Sequence, residues 1–433
     1  MRSVSIIGTG YVGLVTGTCL AEIGHKVVCV DSNKEKIRKL QKGVIPIYEP
    51  QLEELVHKNK KKERLFFSTS IKRAVKESEI IFICVHTPEK DNGEPDLYYV
   101  ELVAQKIAEL MREYKVIVSK STMPVRTGKK IKETIKNYCS NELEFDVVSN
   151  PEFLREGSAV RDFLFPQRIV IGLESKRAER IMRDLYRPIR APVLITSIET
   201  AEIIKHSCNA FLATKISFIN AIANLCEKVG ADVEEVARAM GLDRRIGREF
   251  LKAGIGYGGS CLPKDIEAFV HIAKKSGYDF ELLRVVQKIN KQQRDMFISR
   301  IKEVLWNLRG KQIGVLGLSF KPNTDDMRNA PSVEIINRLL EEGAVIKVYD
   351  PVAISRAKDI FKDSVRYCRS AYEVAQDSES LLILTEWEEF RKLDLGRIRN
   401  LLKVKIIIDG RNLFDPQKMR KKGFRYICIG RGR

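Results

Sequence analysis

Residues 253–265 read Ala253-Gly254-Ile255-Gly256-Tyr257-Gly258-Gly259-Ser260-Cys261-Leu262-Pro263-Lys264-Asp265, and they hold the chain's best candidate for covalent chemistry. Four glycines within the six positions 254–259 open backbone space for a ligand. Pro263 suits the first turn of a helix, so Cys261 is expected near a helix N-terminus with Lys264 beside it. Both neighbours favour the thiolate, which is the nucleophilic form of cysteine. A lone cysteine is more often a core filler, and that is the reading for the other eight, at 19, 29, 84, 139, 208, 226, 368 and 428. The odd total of nine cysteines and the lack of metal-like pairs indicate reduced thiols, with no disulfide frame and no metal site.

A second constellation points to a dinucleotide. Gly8-Thr9-Gly10-Tyr11-Val12-Gly13 falls between a strand-like run, Ser3 to Ile7, and a helical pattern, Tyr11 to Ile23. In that context the glycines permit a tight turn and bring backbone N–H groups close to a pyrophosphate at the helix N-terminus. Asp31 closes the next strand, 23 residues after Gly8, where a carboxylate accepts hydrogen bonds from an adenosine ribose. It also repels the 2′-phosphate of NADP, so NAD is the expected cofactor.

These residues need a scaffold, and the pattern supplies one. Strands are expected over Ser3–Ile7, Lys26–Val30, Ile80–Val85, Lys115–Ser119 and Phe145–Ser149, alternating with helices. That alternation implies a parallel sheet covered on both faces. From Glu199 to Val229 runs a proline-free amphipathic pattern ended by Gly230; a helix of thirty-odd residues would span about 45 Å. Further helices follow, to about Met240 and then from the glycine loop to about Leu308. After Arg309-Gly310 the alternation restarts: strands at Gln312–Leu318, Val345–Tyr349, Ser380–Leu384 and Val404–Ile408, with a helix at Pro331–Glu342. The fold class is therefore α/β, with two Rossmann-like parallel-sheet domains joined by a long central helix and a helical middle region. The expected segments are 1–198, 199–309 and 310–433, with the reacting residues where the two α/β halves meet.

The chain has 433 residues, 44% apolar and 31% charged, which suits a globular protein of two or three domains and excludes a disordered one. No apolar run approaches the length of a membrane helix, and the N-terminus begins directly on a strand, so a cytoplasmic protein is expected. The net charge of +19 admits nucleic acid, anionic lipid or acidic small ligands, and equally a charge-rich surface of the kind thermophiles use. The densest basic run, Lys58 to Arg64, reads as a solvated turn.

The chain resembles the nucleotide-sugar 6-dehydrogenases, the UDP-glucose/GDP-mannose dehydrogenase family, through five blocks in the same order. They are Gly8–Gly13, Lys120-Ser121-Thr122-Met123-Pro124, Asn150-Pro151-Glu152-Phe153-Leu154-Arg155-Glu156-Gly157, Gly258–Asp265, and Phe320-Lys321-Pro322-Asn323-Thr324-Asp325-Asp326-Met327-Arg328. Relatives acting on N-acetylated sugars tend to carry Val-Asp after the cysteine segment, and Pro263-Lys264-Asp265 looks like the glucose branch.

The resemblance implies a four-electron oxidation at C6, in which UDP-glucose, two NAD and water give UDP-glucuronate and two NADH through a thiohemiacetal and a thioester on Cys261. An alkoxide must then be stabilised twice, and Lys205 and Asn209, four apart on one helix face, can both donate to such an oxygen. Asp265 and Thr122 match positions that order a water or assist proton transfer, and Glu156 matches the activator of the hydrolytic water. Glu152, Phe153 and Leu154 match the sugar pocket. Phe250, Leu251, Lys252, Ala253 and Gly254, with Gly258, match the stretch around the UDP, and Phe320 and Lys321 match the sugar-nucleotide loop. Arg328, Lys264, Thr87 and Lys36 match the cofactor side, as do Thr122 and Glu156 beside their catalytic roles, although His86 replaces the proline often found before Thr87. Arg245 resembles an arginine that crosses a dimer interface, Arg411 is a further candidate contact, and the long apolar helix is expected to support a homodimer.

Three rivals stand beside this reading. Another UDP-sugar, such as an N-acetylhexosamine, would need only a few changed pocket contacts. A nucleic-acid-binding protein would explain the charge, but the chain lacks a compact recognition motif or an interleaved aromatic and basic stretch. A silent sugar-nucleotide binder conflicts with Cys261, Lys205 and Asp265 occurring together. If Asp31 selects against a 2′-phosphate, kcat/KM with NAD exceeds that with NADP by roughly tenfold or more, a difference of about 1.4 kcal/mol or above; equal efficiencies would refute it.

Overall fold

Runs that are apolar at every position, such as Ile80-Ile81-Phe82-Ile83, suit strands buried on both faces, and the computed structural model bears this out. It describes residues 1–88, 94–139 and 143–431. They fall into two units, one within residues 1–208 and 267–277, the other within residues 209–266 and 278–431.

The first unit carries strands β1 (Ser3–Ile7), β2 (Lys26–Val30), β3 (Leu65–Ser68), β4 (Ile80–Ile83), β5 (Lys115–Ser119), β6 (Phe145–Ser149), β7 (Ile169–Gly172) and β8 (Val193–Thr196). They make one sheet in the order β3-β2-β1-β4-β5-β6-β7-β8, parallel except where β6 meets β7. Alternate residues of β4 enter different cores. Ile80 and Phe82 pack with Leu14 and Leu20 of the helix Tyr11–Glu22, while Ile81 and Ile83 pack with Ala104 and Ile107 of the helix Tyr98–Leu110. The order reverses between β1 and β4, and the carboxyl end of β1 at such a switch point is where open α/β sheets bind ligands. Gly8 stands there.

The second unit carries β9 (Gln312–Leu316), β10 (Val345–Tyr349), β11 (Arg366–Tyr367), β12 (Ser380–Ile383), β13 (Ile406–Asp409) and β14 (Arg425–Ile427). Their order, β11-β10-β9-β12-β13-β14, repeats that of the first six strands, and all pairs are parallel. Here too the sheet is covered twice: Leu382 faces one core and Leu381 and Ile383 the other.

The long helix is Ile198–Val229, stopped by Gly230 at φ 77°, a left-handed position that costs glycine little. Helices Leu262–Lys275 and Glu281–Leu305 follow the glycine loop. Strands β3, β7, β8, β11 and β14 escaped the sequence reading. Each has four residues or fewer, and β11 only two, so little of a period is left to read. The expected strands Ile80–Val85 and Gln312–Leu318 end two residues earlier, at Ile83 and Leu316, where pairing with β1 and β12 stops.

Candidate active site

In the first unit the turn after β1 leaves room for one thing only. A side chain on Gly13 would place Cβ 1.9 Å from the Gly8 carbonyl oxygen, so helix and strand meet there backbone to backbone. A Cβ on Gly10, by contrast, would meet nothing within 4 Å. The turn is thus closed toward the sheet and open toward solvent, the cradle that a pyrophosphate requires. The residues present fit a dinucleotide.

Asp31 stands at the end of β2. Its Oδ2 accepts from the Thr9 N–H (3.0 Å), the Thr9 hydroxyl (2.8 Å) and Lys36 Nζ (2.8 Å), while Oδ1 accepts from the Asn33 N–H (3.0 Å). Burial raises its pKa, but these donors outweigh that effect, Lys36 most of all, and hold the carboxyl below its usual range. The structure so brings together Asp31, Lys36 and the glycine turn. It also joins Thr87 to the Thr122 segment, the Thr87 hydroxyl donating to the Thr122 carbonyl at 3.4 Å.

Lys205, on the long helix, lies 3.0 Å from Glu152, both about 5% exposed. Glu152 also accepts from the Leu154 N–H (2.6 Å), and the Phe153 ring lies under Lys205 and Arg168 at 5.7 and 4.1 Å. Glu152, Phe153 and Leu154, expected from the sequence at a sugar pocket, are therefore gathered around one ammonium. A second buried lysine stands nearby. Lys120 donates to Asn150 Oδ1 (3.1 Å), and burial pushes its pKa down to about 8, with the charge of Lys205 acting in the same direction and Glu152 opposing. Glu156 is half-buried on the loop that follows, between Arg155, paired with Asp162, and Gly157.

Two side chains of the long helix hold the Thr122 segment. Glu202 accepts from the Arg126 N–H (2.6 Å) and the Gly128 N–H (2.8 Å), and His206 bonds the Met123 carbonyl (2.9 Å). Sequence reading missed Glu202, although it precedes Lys205 by three residues. It passed over Lys120 and Asn150 within their motifs because nothing local shows that they are buried.

In the second unit Cys261 is the one exposed cysteine of the nine, at the start of the helix Leu262–Lys275; six are buried and two are intermediate. Asn209 Nδ2 donates to Asp265 Oδ2 at 2.5 Å, with both side chains buried. The glycine loop before Cys261 is packed too closely for side chains. A Cβ on Gly258 would lie 2.3 Å from the Asn329 carbonyl, and one on Gly259 would lie 2.8 Å from the Phe320 ring. Three buried amides anchor the loop: Asn220 accepts from the Gly254 N–H, Gln293 donates to the Gly254 carbonyl, and Asn290 accepts from the Tyr257 N–H. Leu251 and Ala253 are buried, Lys252 is exposed, and Phe250 takes a left-handed φ of 64°.

Arg411 acts as a clamp. It donates to the Leu384 carbonyl (2.9 Å), the Gly256 carbonyl (3.2 Å) and the Phe320 carbonyl (3.1 Å), tying the cysteine loop to the Phe320–Lys321 loop. Lys321 Nζ lies 5.5 Å from the Phe320 ring centroid. Arg328 and Arg245 are exposed and form two-pronged pairs with Asp326 and Asp243 respectively. Among the described residues no cluster of metal-ligating side chains occurs, and no helix is long and apolar enough to cross a membrane.

Comparison with known proteins covers nearly the whole chain. Residues 2–190, 199–292 and 314–416 match the NAD binding, central and UDP binding domains of the UDP-glucose/GDP-mannose dehydrogenase family. A UDP-glucose 6-dehydrogenase of Bacillus subtilis is 51% identical over 431 residues, 100% of this chain and 94% of that protein. One from Rhizobium meliloti is 45% identical, covering 99% of each. Among solved structures, a UDP-glucose dehydrogenase from the archaeon Pyrobaculum islandicum superposes with a TM-score of 0.92 at 38% identity, over 99% of this chain and 97% of the other. A UDP-N-acetylmannosamine dehydrogenase from Pyrococcus horikoshii gives 0.88 at 29% identity, over 99% of each.

Glu202 generates a prediction about stability. Burial, with the charge of Glu199 adding to it, lifts its carboxyl from 4.5 to about 7 against the pull of the Gly128 and Arg126 amides. Between those pH values the folded chain holds a proton that the unfolded chain has released, so stability falls as pH rises and the whole penalty is present above 7. At 1.36 kcal/mol per unit the full term is about 3 kcal/mol. Urea unfolding at pH 5 and pH 8 should therefore show a smaller loss between the two for Glu202→Gln than for the wild type. An identical difference would exclude Glu202 as the source.

Proposed function

The chain belongs to the UDP-glucose/GDP-mannose dehydrogenase family, and from that premise we propose that it oxidises C6 of UDP-glucose to the carboxylate, consuming two NAD and one water and releasing UDP-glucuronate, two NADH and protons. The observation that carries the reading is Cys261, the one exposed thiol, set at a helix start behind a loop that admits only glycine at its closest contacts. An ordinary alcohol dehydrogenase has no use for such a nucleophile, whereas a second oxidation at the same carbon requires an adduct that can lose hydride.

NAD, when bound at the Gly8–Gly13 turn with Asp31 and Lys36 at its ribose end, supplies the hydride acceptor. Lys205 and Asn209 donate to the C6 oxygen as it takes on charge, and Glu152 keeps the Lys205 ammonium in place. The Cys261 sulfur adds to the aldehyde carbon, and loss of hydride from that carbon leaves a thioester. Asp265, held by Asn209, and Thr122 order the water that cleaves it, and Glu156 takes the water's proton. Phe250–Gly254, Gly258, Phe320 and Lys321 hold the UDP-sugar, and Arg328, Lys264 and Thr87 face the cofactor. Arg411 acts on the nucleotide loops through their carbonyls.

Residues 1–198 are the NAD-binding segment, 199–309 the central one and 310–433 the UDP-binding one. Glucose is favoured over an N-acetylated hexose by Pro263-Lys264-Asp265 and by the identity, 51% to a UDP-glucose 6-dehydrogenase against 29% to a UDP-N-acetylmannosamine dehydrogenase. Phe211, Phe218 and Leu225 recur every seven residues on the long helix and are 63%, 47% and 54% exposed, a stripe that suits pairing with a second copy; Arg245 would serve that interface. Nine unbridged thiols fit a reducing compartment, the cytoplasm.

Supplied in limiting amount, each UDP-glucose should yield two NADH; one would reduce the protein to a simple alcohol dehydrogenase. Cys261→Ala should lose at least about a hundredfold in UDP-glucuronate formation, the scale of a missing covalent step, while binding of UDP-glucose measured calorimetrically changes by less than about threefold. Normal turnover by that variant would remove the thioester from the mechanism.

A further inference from the structure

Glu49 lies in the segment Ile45-Pro46-Ile47-Tyr48-Glu49-Pro50, outside every motif, yet it is only 6% exposed. Its Oε2 accepts from the Gly157 N–H at 2.7 Å and from the Tyr11 hydroxyl, and its Oε1 accepts from the N–H groups of Ala159 (2.7 Å) and Val160 (3.4 Å). The Tyr11 hydroxyl in turn accepts from the Gly157 N–H at 3.2 Å. Ser158, at the cap of the helix Ala159–Leu164, makes no side-chain capping bond, so Glu49 takes the amides that a local cap would take. On the other side of Glu156, Asp162 accepts from the Arg155 N–H, Nε and Nη2 at 3.0, 2.9 and 2.7 Å. Glu156 is thus the residue between two anchors, and its charge is among the causes that raise the pKa of the Tyr11 phenol, after burial and Glu49. Burial likewise pushes the Glu49 carboxyl up against four hydrogen bonds that favour its ionised form.

We propose that Glu49 is a positioning residue for the hydrolytic step: by holding Gly157 and the Tyr11 hydroxyl on one oxygen and the next helix on the other, it aims the Glu156 carboxylate at the attacking water. This rests on the reading that Glu156 activates that water. In the step concerned, water oxygen bonds to the acyl carbon, its proton passes to Glu156, the carbon–sulfur bond breaks, and the electron pair leaves on Cys261 Sγ. Neither hydride transfer involves Glu156, so the two halves of the reaction respond differently.

Glu49→Gln separates them, because an amide accepts on one oxygen only and turns an NH2 toward one of the two sets of donors. The variant is mixed with UDP-glucose and saturating NAD, quenched in acid, and read by NADH absorbance and by intact protein mass. Expected are a burst approaching two NADH per subunit with hydride-transfer rates within about threefold of wild type, then turnover slowed about tenfold to a hundredfold, as a misplaced base gives. Most of the quenched variant should carry the mass of the UDP-glucuronyl thioester, and its hydrolysis should quicken as pH rises and hydroxide replaces the activated water. Slowing of both steps alike without an adduct, or hydrolysis at the wild-type rate, overturns the proposal. Should Glu49→Gln fail to fold, Tyr11→Phe decides: it frees Gly157 from one partner and keeps the helix amides on Glu49, and absence of any thioester build-up in it also overturns the proposal. Wild type run alongside keeps the two readings apart, since one NADH per UDP-glucose there would sink the four-electron oxidation itself, whereas two with no adduct in the variant sinks only the role of Glu49.

Discussion

Loops that leave the carboxyl ends of parallel strands carry N–H groups that no ladder satisfies, and a buried N–H without an acceptor costs about 1–3 kcal/mol. In this chain buried or half-buried carboxylates take them. Asp31 serves Thr9 and Asn33, Glu49 serves Gly157 and Ala159, Glu152 serves Leu154, and Glu202 serves Arg126 and Gly128. In the second unit Asp350 serves Leu318, Ser319, Val352 and Ala353, and Asp409 serves Arg411, Leu413 and Phe414. Each of these loops carries a residue assigned to the reaction or to its ligands, or lies beside one. The interaction that satisfies the backbone is therefore the one that places the chemistry.

The same interaction separates two sheets that share one order over six strands. Asp31 and Asp350 occupy equivalent positions, each just beyond the second strand of its unit. Asp31 is partly exposed and turns toward an open glycine turn, so it can exchange part of its donor set for ribose hydroxyls. Asp350 is 1% exposed and also accepts from the Ser319 hydroxyl and Trp387 Nε1. No capacity is left for a ribose, and the carboxylate instead fixes the start of the loop that leads to Phe320 and Lys321. Thr385 and Arg411 hold the carbonyls of Ser319 and Phe320 in that loop. One topology thus yields a dinucleotide turn in the first unit and a rigid, cation-bearing loop in the second.

Close packing before Cys261 comes from the opposite device, the absence of side chains. Gly258 and Gly259 allow backbone and ring contacts that any Cβ would obstruct, and the Asn220, Asn290 and Gln293 amides supply the hydrogen bonds that the loop lacks internally. For the proposed role of Cys261, such preorganisation would spare the thiol a reorientation before it adds to the aldehyde carbon.

Whatever depends on covalent spacing was decided by the sequence alone: the strand, glycine turn, helix and Asp31 of the first site, Cys261 ahead of Pro263, the long helix ended by Gly230, and the repetition of α/β halves. Within one element the chain's own geometry sets distance and direction, so periodicity and residue type suffice. Only tertiary structure could pair Lys205 with Glu152, hang the Thr122 segment on Glu202 and His206, or bring Glu49 to Gly157 across 108 residues. Those contacts exist because particular strands lie side by side, and neither composition nor spacing records which loops the sheet order brings together. The shortest strands, β11 and β14, were hidden for a related reason: two or three residues hold no period, and they become strands by pairing with β10 and β13. Arg411 was legible as a basic residue near a ligand; that its guanidinium is taken up by three carbonyls follows from the packing of loops far apart in the chain.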